Sequence, residues 1–242
     1  MTETSESSES SESSESSESS AQRGDDTRLL TGLFLLTVVT GMADAASYLG
    51  LGQVFTANMT GNVLLLGFAT DRSAHLSLMG SLIALLAFAA GGVAGSFVVG
   101  SRRETPHYRR GFMVEWVFLA AATIVLFASH PGPTGRTDAV LALLAVSMGI
   151  QNAVVRRMGL PDVNTTVLTT ALGGLVADAV EVRGRPVRAG RRIATIVLLF
   201  GGAVLGAALE HLGVRWTLLA AIGMATVGMA AIQRSHLPAV PA

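Results

Sequence analysis

Apolar residues run along this chain in blocks long enough to cross a lipid bilayer, separated by short stretches where charge and glycine return. Six blocks, at residues 29–49, 76–100, 111–129, 139–158, 193–209 and 216–232, match a hydrocarbon core of about 30 Å, which roughly 20 helical residues cross. Two more, at 55–69 and 163–177, are apolar but studded with Asn and Thr. At about 1.5 Å per residue each covers only about 22 Å as a helix, short of a full crossing. The pattern predicts an all-α polytopic membrane protein with six transmembrane helices plus two short re-entrant or broken helical segments.

The pattern also repeats. Gly41-Met42-Ala43-Asp44-Ala45 is echoed 108 residues further on by Gly149-Ile150-Gln151-Asn152-Ala153. One inserted residue then brings Gly50-Leu51, Val54, Thr56, Thr60 and Leu66 onto Gly159-Leu160, Val163, Thr165, Thr169 and Leu175, and the Gly91-Gly92 pair finds a counterpart in Gly201-Gly202. Each unit reads as span, short polar segment, span, span. A unit with an odd number of crossings enters the membrane the second time from the opposite side, so the halves form a 3+3 inverted repeat, an architecture common among secondary transporters. The expected organisation is a tail at 1–27, a first membrane repeat at 28–129, a second at 130–235 and a short C-terminal tail at 236–242.

Composition agrees with a lipid environment. Half of the 242 residues are hydrophobic and 14% are charged, against about a quarter charged in soluble domains, and mean hydropathy is +0.52. The formal net charge of +0 argues against a nucleic-acid partner. There is no cysteine, and His75, His107, His130, His211 and His236 fall at no ligand spacing, so neither a metal nor another cofactor is expected. Residues 1–20 are almost entirely Ser and Glu; with no apolar surface to bury, they read as a disordered tail. They lack the basic start and apolar core of a signal peptide.

All 17 basic residues are arginine, and in short loops such residues concentrate on the cytoplasmic side. With six crossings and a cytoplasmic N-terminus, only Arg72, Arg136 and Arg215 fall outside; if both short segments also crossed, the Arg-rich loop after Gly100 would lie on the wrong side. The reading is a multi-pass protein of a bacterial inner (cell) membrane with both termini cytoplasmic.

Asp44 stands deep in the first span, where an ionised carboxylate costs several kcal/mol unless paired, hydrated or protonated. It either serves a function or caps the polar segment that follows. Its counterpart Asn152 cannot titrate. Asn58, Thr60 and Asn62 recur at every second position, which in a helix would scatter them around the barrel. They suit an irregular segment lining a cavity, or glue between helices. Asn164, Thr165, Thr166, Thr169 and Thr170 carry the same reading in the second unit. The candidate substrate-binding set is Asp44, Asn58, Thr60, Asn62, Asn152, Thr165, Thr166 and Thr169. Glu115, near the Arg-flanked start of its span beside Trp116, reads as an interfacial ion pair with a loop arginine, and Asp178 and Glu181 as interfacial too. The glycines at 91, 92, 95, 201, 202 and 206 are read as packing faces.

The stretch from Gly41 to Asn62, above all the block from Phe55 to Asn62, resembles the YoaK-like family of bacterial multi-span membrane proteins, for which no function is established. Gln151-Asn152-Ala153 and Thr165-Thr166 extend the likeness into the second unit, while Thr170 stands where the family carries Gly. The resemblance implies a multi-span bacterial membrane protein and no reaction. Signatures of dinucleotide sites, P-loops, nucleophile elbows and zinc proteases do not occur, so no enzymatic role is expected. The functional expectation is a small secondary transporter or channel of unspecified substrate with a polar midplane site, its partners being membrane lipid and a small solute or ion. The alternative is a non-transporting scaffold or accessory protein. Homo-oligomerisation stays open at this level.

Overall fold

The computed structural model describes residues 3–69, 71, 76–100, 107–128, 134–159 and 186–235. Seven helices follow one another: α1 (Glu3–Gly50), α2 (Met59–Phe68), α3 (Leu78–Val99), α4 (Tyr108–Ala128), α5 (Thr134–Met158), α6 (Pro186–Glu210) and α7 (Val214–Gln233). All regular structure among the described residues is helical. Six helices are long and apolar enough to span a membrane: Asp26–Gly50, Leu78–Val99, Tyr108–Ala128, Thr137–Met158, Gly190–Glu210 and Val214–Gln233. They coincide with the six apolar blocks to within a turn at each end.

The backbone of the Ser/Glu-rich stretch is helical from Glu3 onward and runs into the first span as one helix, α1. A helix already nucleated by an apolar span extends at one hydrogen bond per added residue, without a new nucleus. The second short segment, at 163–177, lies outside the described residues, as do the tail at 236–242, Asp178 and Glu181.

The core is organised around α1 and α5, whose spans are each 67% buried against 17% for α6. Helix α1 packs on α6 and α7, and α5 packs on α3 and α4. Glycine makes the closest crossings possible. A Cβ at Gly91 would strike the backbone carbonyl of Val146, and one at Gly202 that of Val38. Gly95 lies against Ile150 and Ala153, and Gly206 against Met42 and Ala45. Val146, Ile150 and Ala153 each stand 108 residues beyond Val38, Met42 and Ala45, while Gly202 and Gly206 stand 111 beyond Gly91 and Gly95. The same contacts are therefore made twice, with the halves exchanged. This corrects the expected pairing of the double glycines by one position: Gly202 matches Gly91, and a Cβ at Gly201 would meet nothing.

The helix ends sort into two layers. At one, the Tyr108 hydroxyl donates to the Arg157 carbonyl at 3.0 Å, Arg109 donates to the Ser235 carbonyl at 2.7 Å and Arg157 donates to the Gly100 carbonyl. Gly32, near the start of the α1 span, meets Gly228 and Ile232 in the same layer. At the other, Gly50 at the end of α1 meets Glu210 and Val214, the end of α6 and the start of α7.

Candidate functional site

The site begins where α1 stops. Gly52 (φ 107°) and Gln53 (φ 61°) both take left-handed backbone, which turns the chain back on itself. Only glycine adopts that conformation freely, so Gln53 sits there at a cost. The returning chain runs back beside α1 until Thr56 and Ala57 reach Asp44, six residues and about 9 Å short of the helix end. There the Asp44 Oδ1 accepts from the Thr56 N–H (2.8 Å), the Thr56 hydroxyl (3.2 Å) and the Ala57 N–H (2.7 Å). The chain turns again into α2. Its cap is Asn58, whose Oδ1 accepts from the Gly61 N–H at 3.2 Å. Ten residues long, α2 spans about 15 Å, half of a bilayer core. The first short segment is thus a re-entrant loop and half-helix, as its length required.

The three polar positions of this segment divide. Asn62 is fully buried; its Nδ2 donates to the Phe55 carbonyl (2.7 Å) and its Oδ1 accepts from the Phe55 N–H (2.9 Å). It pairs with the irregular backbone as a neighbouring strand would, which is the glue reading and leaves it away from the cavity lining. The Phe55 ring so held stacks on Tyr48, centroids 4.8 Å apart. Asn58 and Thr60 line a cavity of about 610 Å³ together with Asp44, Thr40 and Asn152. The rest of its wall is apolar: Phe55, Ala57, Met59, Phe88, Ile196, Leu199, Phe200 and Ala203. That volume lies within the range of small-molecule sites, roughly 300–1,000 Å³.

The structure therefore brings Asp44, Asn58, Thr60 and Asn152 to one space and turns Asn62 away from it. Thr165, Thr166 and Thr169 lie outside the described residues. Sequence reasoning passed over Thr40, one turn before Asp44, and the apolar wall from α6. The i, i+4 spacing of Thr40 and Asp44 was a signal for the first; nothing local marked the second.

Glu115 corrects an expectation. Among the described residues it forms no ion pair and neither carboxylate oxygen has a hydrogen-bond partner, and the side chain is 2% exposed. The rotation of α4 turns it into the bundle, while the neighbouring Trp116 donates from Nε1 to Thr226 on α7 at 2.9 Å.

A family model described as "Protein of unknown function (DUF1275)" matches residues 32–231, all but the ends of the chain. The chain belongs to the DUF1275 family. Among curated proteins, the "UPF0700 transmembrane protein YoaK" of Bacillus subtilis (strain 168) is 35% identical over 150 residues, which cover 61% of this chain and 66% of that relative. The aligned part thus falls just short of two thirds of the relative's own length. No solved structure matches. The likeness noted around Phe55 to Asn62 is thus a family relationship, and this DUF1275 member is a multi-pass membrane protein.

Proposed function

We propose that this DUF1275 protein is a small secondary transporter of the bacterial inner membrane, with the Asp44 cavity as its solute site. The observation that carries the reading is the cavity itself. A buried-side carboxylate, two amides and two hydroxyls from α1, the re-entrant segment and α5 converge on an apolar-walled space of ligand size. Its chemistry favours a solute with an apolar body and a cationic or hydrogen-bond-donating head. The described wall carries a carboxylate and no basic group, and the rings of Phe55, Phe88 and Phe200 favour a cation over an anion.

The architecture supports the same reading. The exchanged contacts of α1 with α6 and of α5 with α3 support the reading of the halves as a 3+3 inverted repeat, an architecture in which transporters bind at the repeat interface. The gathering of Arg109, Arg157 and the α7 end in one layer supports a cytoplasmic location for that layer and for both termini. One observation favours the alternative, a non-transporting scaffold without enzymatic activity: Asp44 Oδ1 already holds three donors of the re-entrant segment.

The deciding experiment is uptake into liposomes containing the purified protein, across a panel of organic amines and neutral amphipathic solutes. Asp44→Asn should lower uptake of the accepted solute at least tenfold with little change in melting temperature. The amide still accepts from Thr56 and Ala57 but lacks the charge. Wild-type protein that moves nothing in the panel, or an Asp44→Asn variant as active as wild type, overturns the reading. A variant that loses its fold supports the scaffold.

A further inference from the structure

A second polar centre lies in the bundle, away from the Asp44 carboxylate. Glu115 on α4 is buried with both oxygens unpartnered among the described residues. Gln151 on α5 is also fully buried; its Nε2 donates to the Thr40 hydroxyl oxygen at 3.0 Å, and its Oε1 has no partner among the described residues. Ser147, one turn before Gln151 on the same face of α5, donates to the Glu115 backbone carbonyl at 3.0 Å. Thr40 lines the cavity. Buried polar groups thus run from the Glu115 backbone carbonyl past Ser147 and Gln151 to Thr40 and the solute site. Native interiors satisfy nearly all such atoms, yet here three acceptors, the two Glu115 carboxylate oxygens and Gln151 Oε1, meet no donor among the described residues.

On its other side Glu115 faces Leu36, Phe112, Trp116, Ala225 and Met229, which leave no space for a water molecule. Among the described residues none of the charged or titratable groups of the helices packed around it hydrogen-bonds its carboxyl, including Asp26, Arg28, Asp44 and Tyr48 on α1, Tyr108, Arg109 and Arg110 on α4, Asp138, Arg156 and Arg157 on α5, and Arg215 and Arg234 at the ends of α7. No donor among the described residues reaches the carboxyl. An uncompensated carboxylate in such surroundings costs several kcal/mol. A proton on Glu115 removes the charge and supplies the missing donor.

We propose that Glu115 is a proton-binding site in exchange with the cavity along Gln151 and Thr40, and that the proton is the ion coupled to solute movement. The proton leaves Glu115 for water that gains access along these polar groups and returns the same way, with no other bond made or broken. The coupling half rests on the transporter reading; proton exchange at Glu115 does not.

Infrared spectroscopy of the purified protein in lipid tests the exchange. Wild type should show a carboxylic-acid C=O band that is missing in Glu115→Gln, moves in Glu115→Asp and shifts on transfer to D₂O. Thr40→Val and Gln151→Leu should slow that shift at least tenfold. Absence of the band in wild type, a band unaltered by both Glu115 substitutions, one that never shifts in D₂O, or one whose shift is no slower in the Thr40 and Gln151 variants overturns the proposal. Coupling is read in liposomes with an internal pH dye and the accepted solute. Wild type should move protons with solute, whereas Glu115→Gln should exchange labelled solute without proton flux. Solute movement without proton flux in wild type overturns the coupling. If wild type moves no solute while the band behaves as expected, the transporter reading fails and the proton site stands.

Discussion

Asn62 holds the re-entrant segment through one side chain, since its amide meets both backbone groups of Phe55 in a fully buried position. Asn62→Ala leaves the part-buried N–H and C=O of Phe55 without this partner, at up to about 1–3 kcal/mol for each group. The melting temperature in detergent should fall clearly, and Asn62→Asp, which keeps the acceptor and loses the donor, should fall between. Uptake lost at an unchanged melting temperature would mean that Asn62 meets the solute instead. The alternation of Asn58, Thr60 and Asn62 was legible as the mark of an irregular segment. Which of them faces the cavity was not, because that follows from how the turn at Gly52 and Gln53 lays the chain against α1. Glu115 is the sharper case. Its sequence neighbourhood of Arg109, Arg110 and Trp116 suggested an interface, and only the rotation of α4 against α5 and α7 turned it inward.

At the level of helices, closeness of approach is set by glycines that sequence pattern alone cannot rank. Gly201 and Gly202 are adjacent, yet a Cβ at Gly202 would strike the Val38 backbone and one at Gly201 would meet open space. Gly202→Val should push α6 off α1, lowering both the melting temperature and the yield of folded protein, whereas Gly201→Val should leave both near wild type. Equal effects would mean that α6 crosses α1 in a different register. Fluorescence-detected size exclusion with heating measures both variants side by side. The re-entrant element was readable from length alone, since fifteen apolar residues at 55–69 cannot cross about 30 Å as a helix. Its anchoring was not, because the N–H groups of Thr56 and Ala57 find Asp44 only once the chain has doubled back.

For the molecule as a whole, the exchanged contacts allow a direct test, helped by the absence of native cysteine. A Cβ at Gly206 would stand 2.8 Å from that of Ala45, and one at Gly95 3.3 Å from that of Ala153, close to the separation a disulfide needs. The double variants Ala45→Cys with Gly206→Cys and Ala153→Cys with Gly95→Cys should each cross-link within one chain on mild oxidation. A protease site placed between the halves would report this as two fragments that separate only after reduction. Cross-linking of one pair and not the other would break the equivalence of the halves. Orientation is tested separately: reporters inserted at 101–106 or at 183–185 should be active only in the cytoplasm, because that side then holds most of the arginines. Periplasmic activity from either would end the six-span topology.

What the order of residues determined by itself was the class of environment, the six helices long and apolar enough to span a membrane, the short first segment between them and the echo from one half of the chain to the other. Each of these depends on local length, local polarity or an echo along the chain, quantities that need no knowledge of neighbours in space. The family followed from the same residues, in the block from Phe55 to Asn62. Tertiary structure alone decided that α6 closes the wall of the Asp44 cavity, that Asn62 serves the backbone while Asn58 lines the cavity, that Gly202 and not Gly201 carries the crossing, and that Glu115 points inward. The division between Asn62 and Asn58 depends on how the turn at Gly52 and Gln53 lays the chain against α1, while the other three turn on how one helix is placed and rotated against another. A helix hydrophobic all round, as lipid demands, carries little periodic signal of that angle.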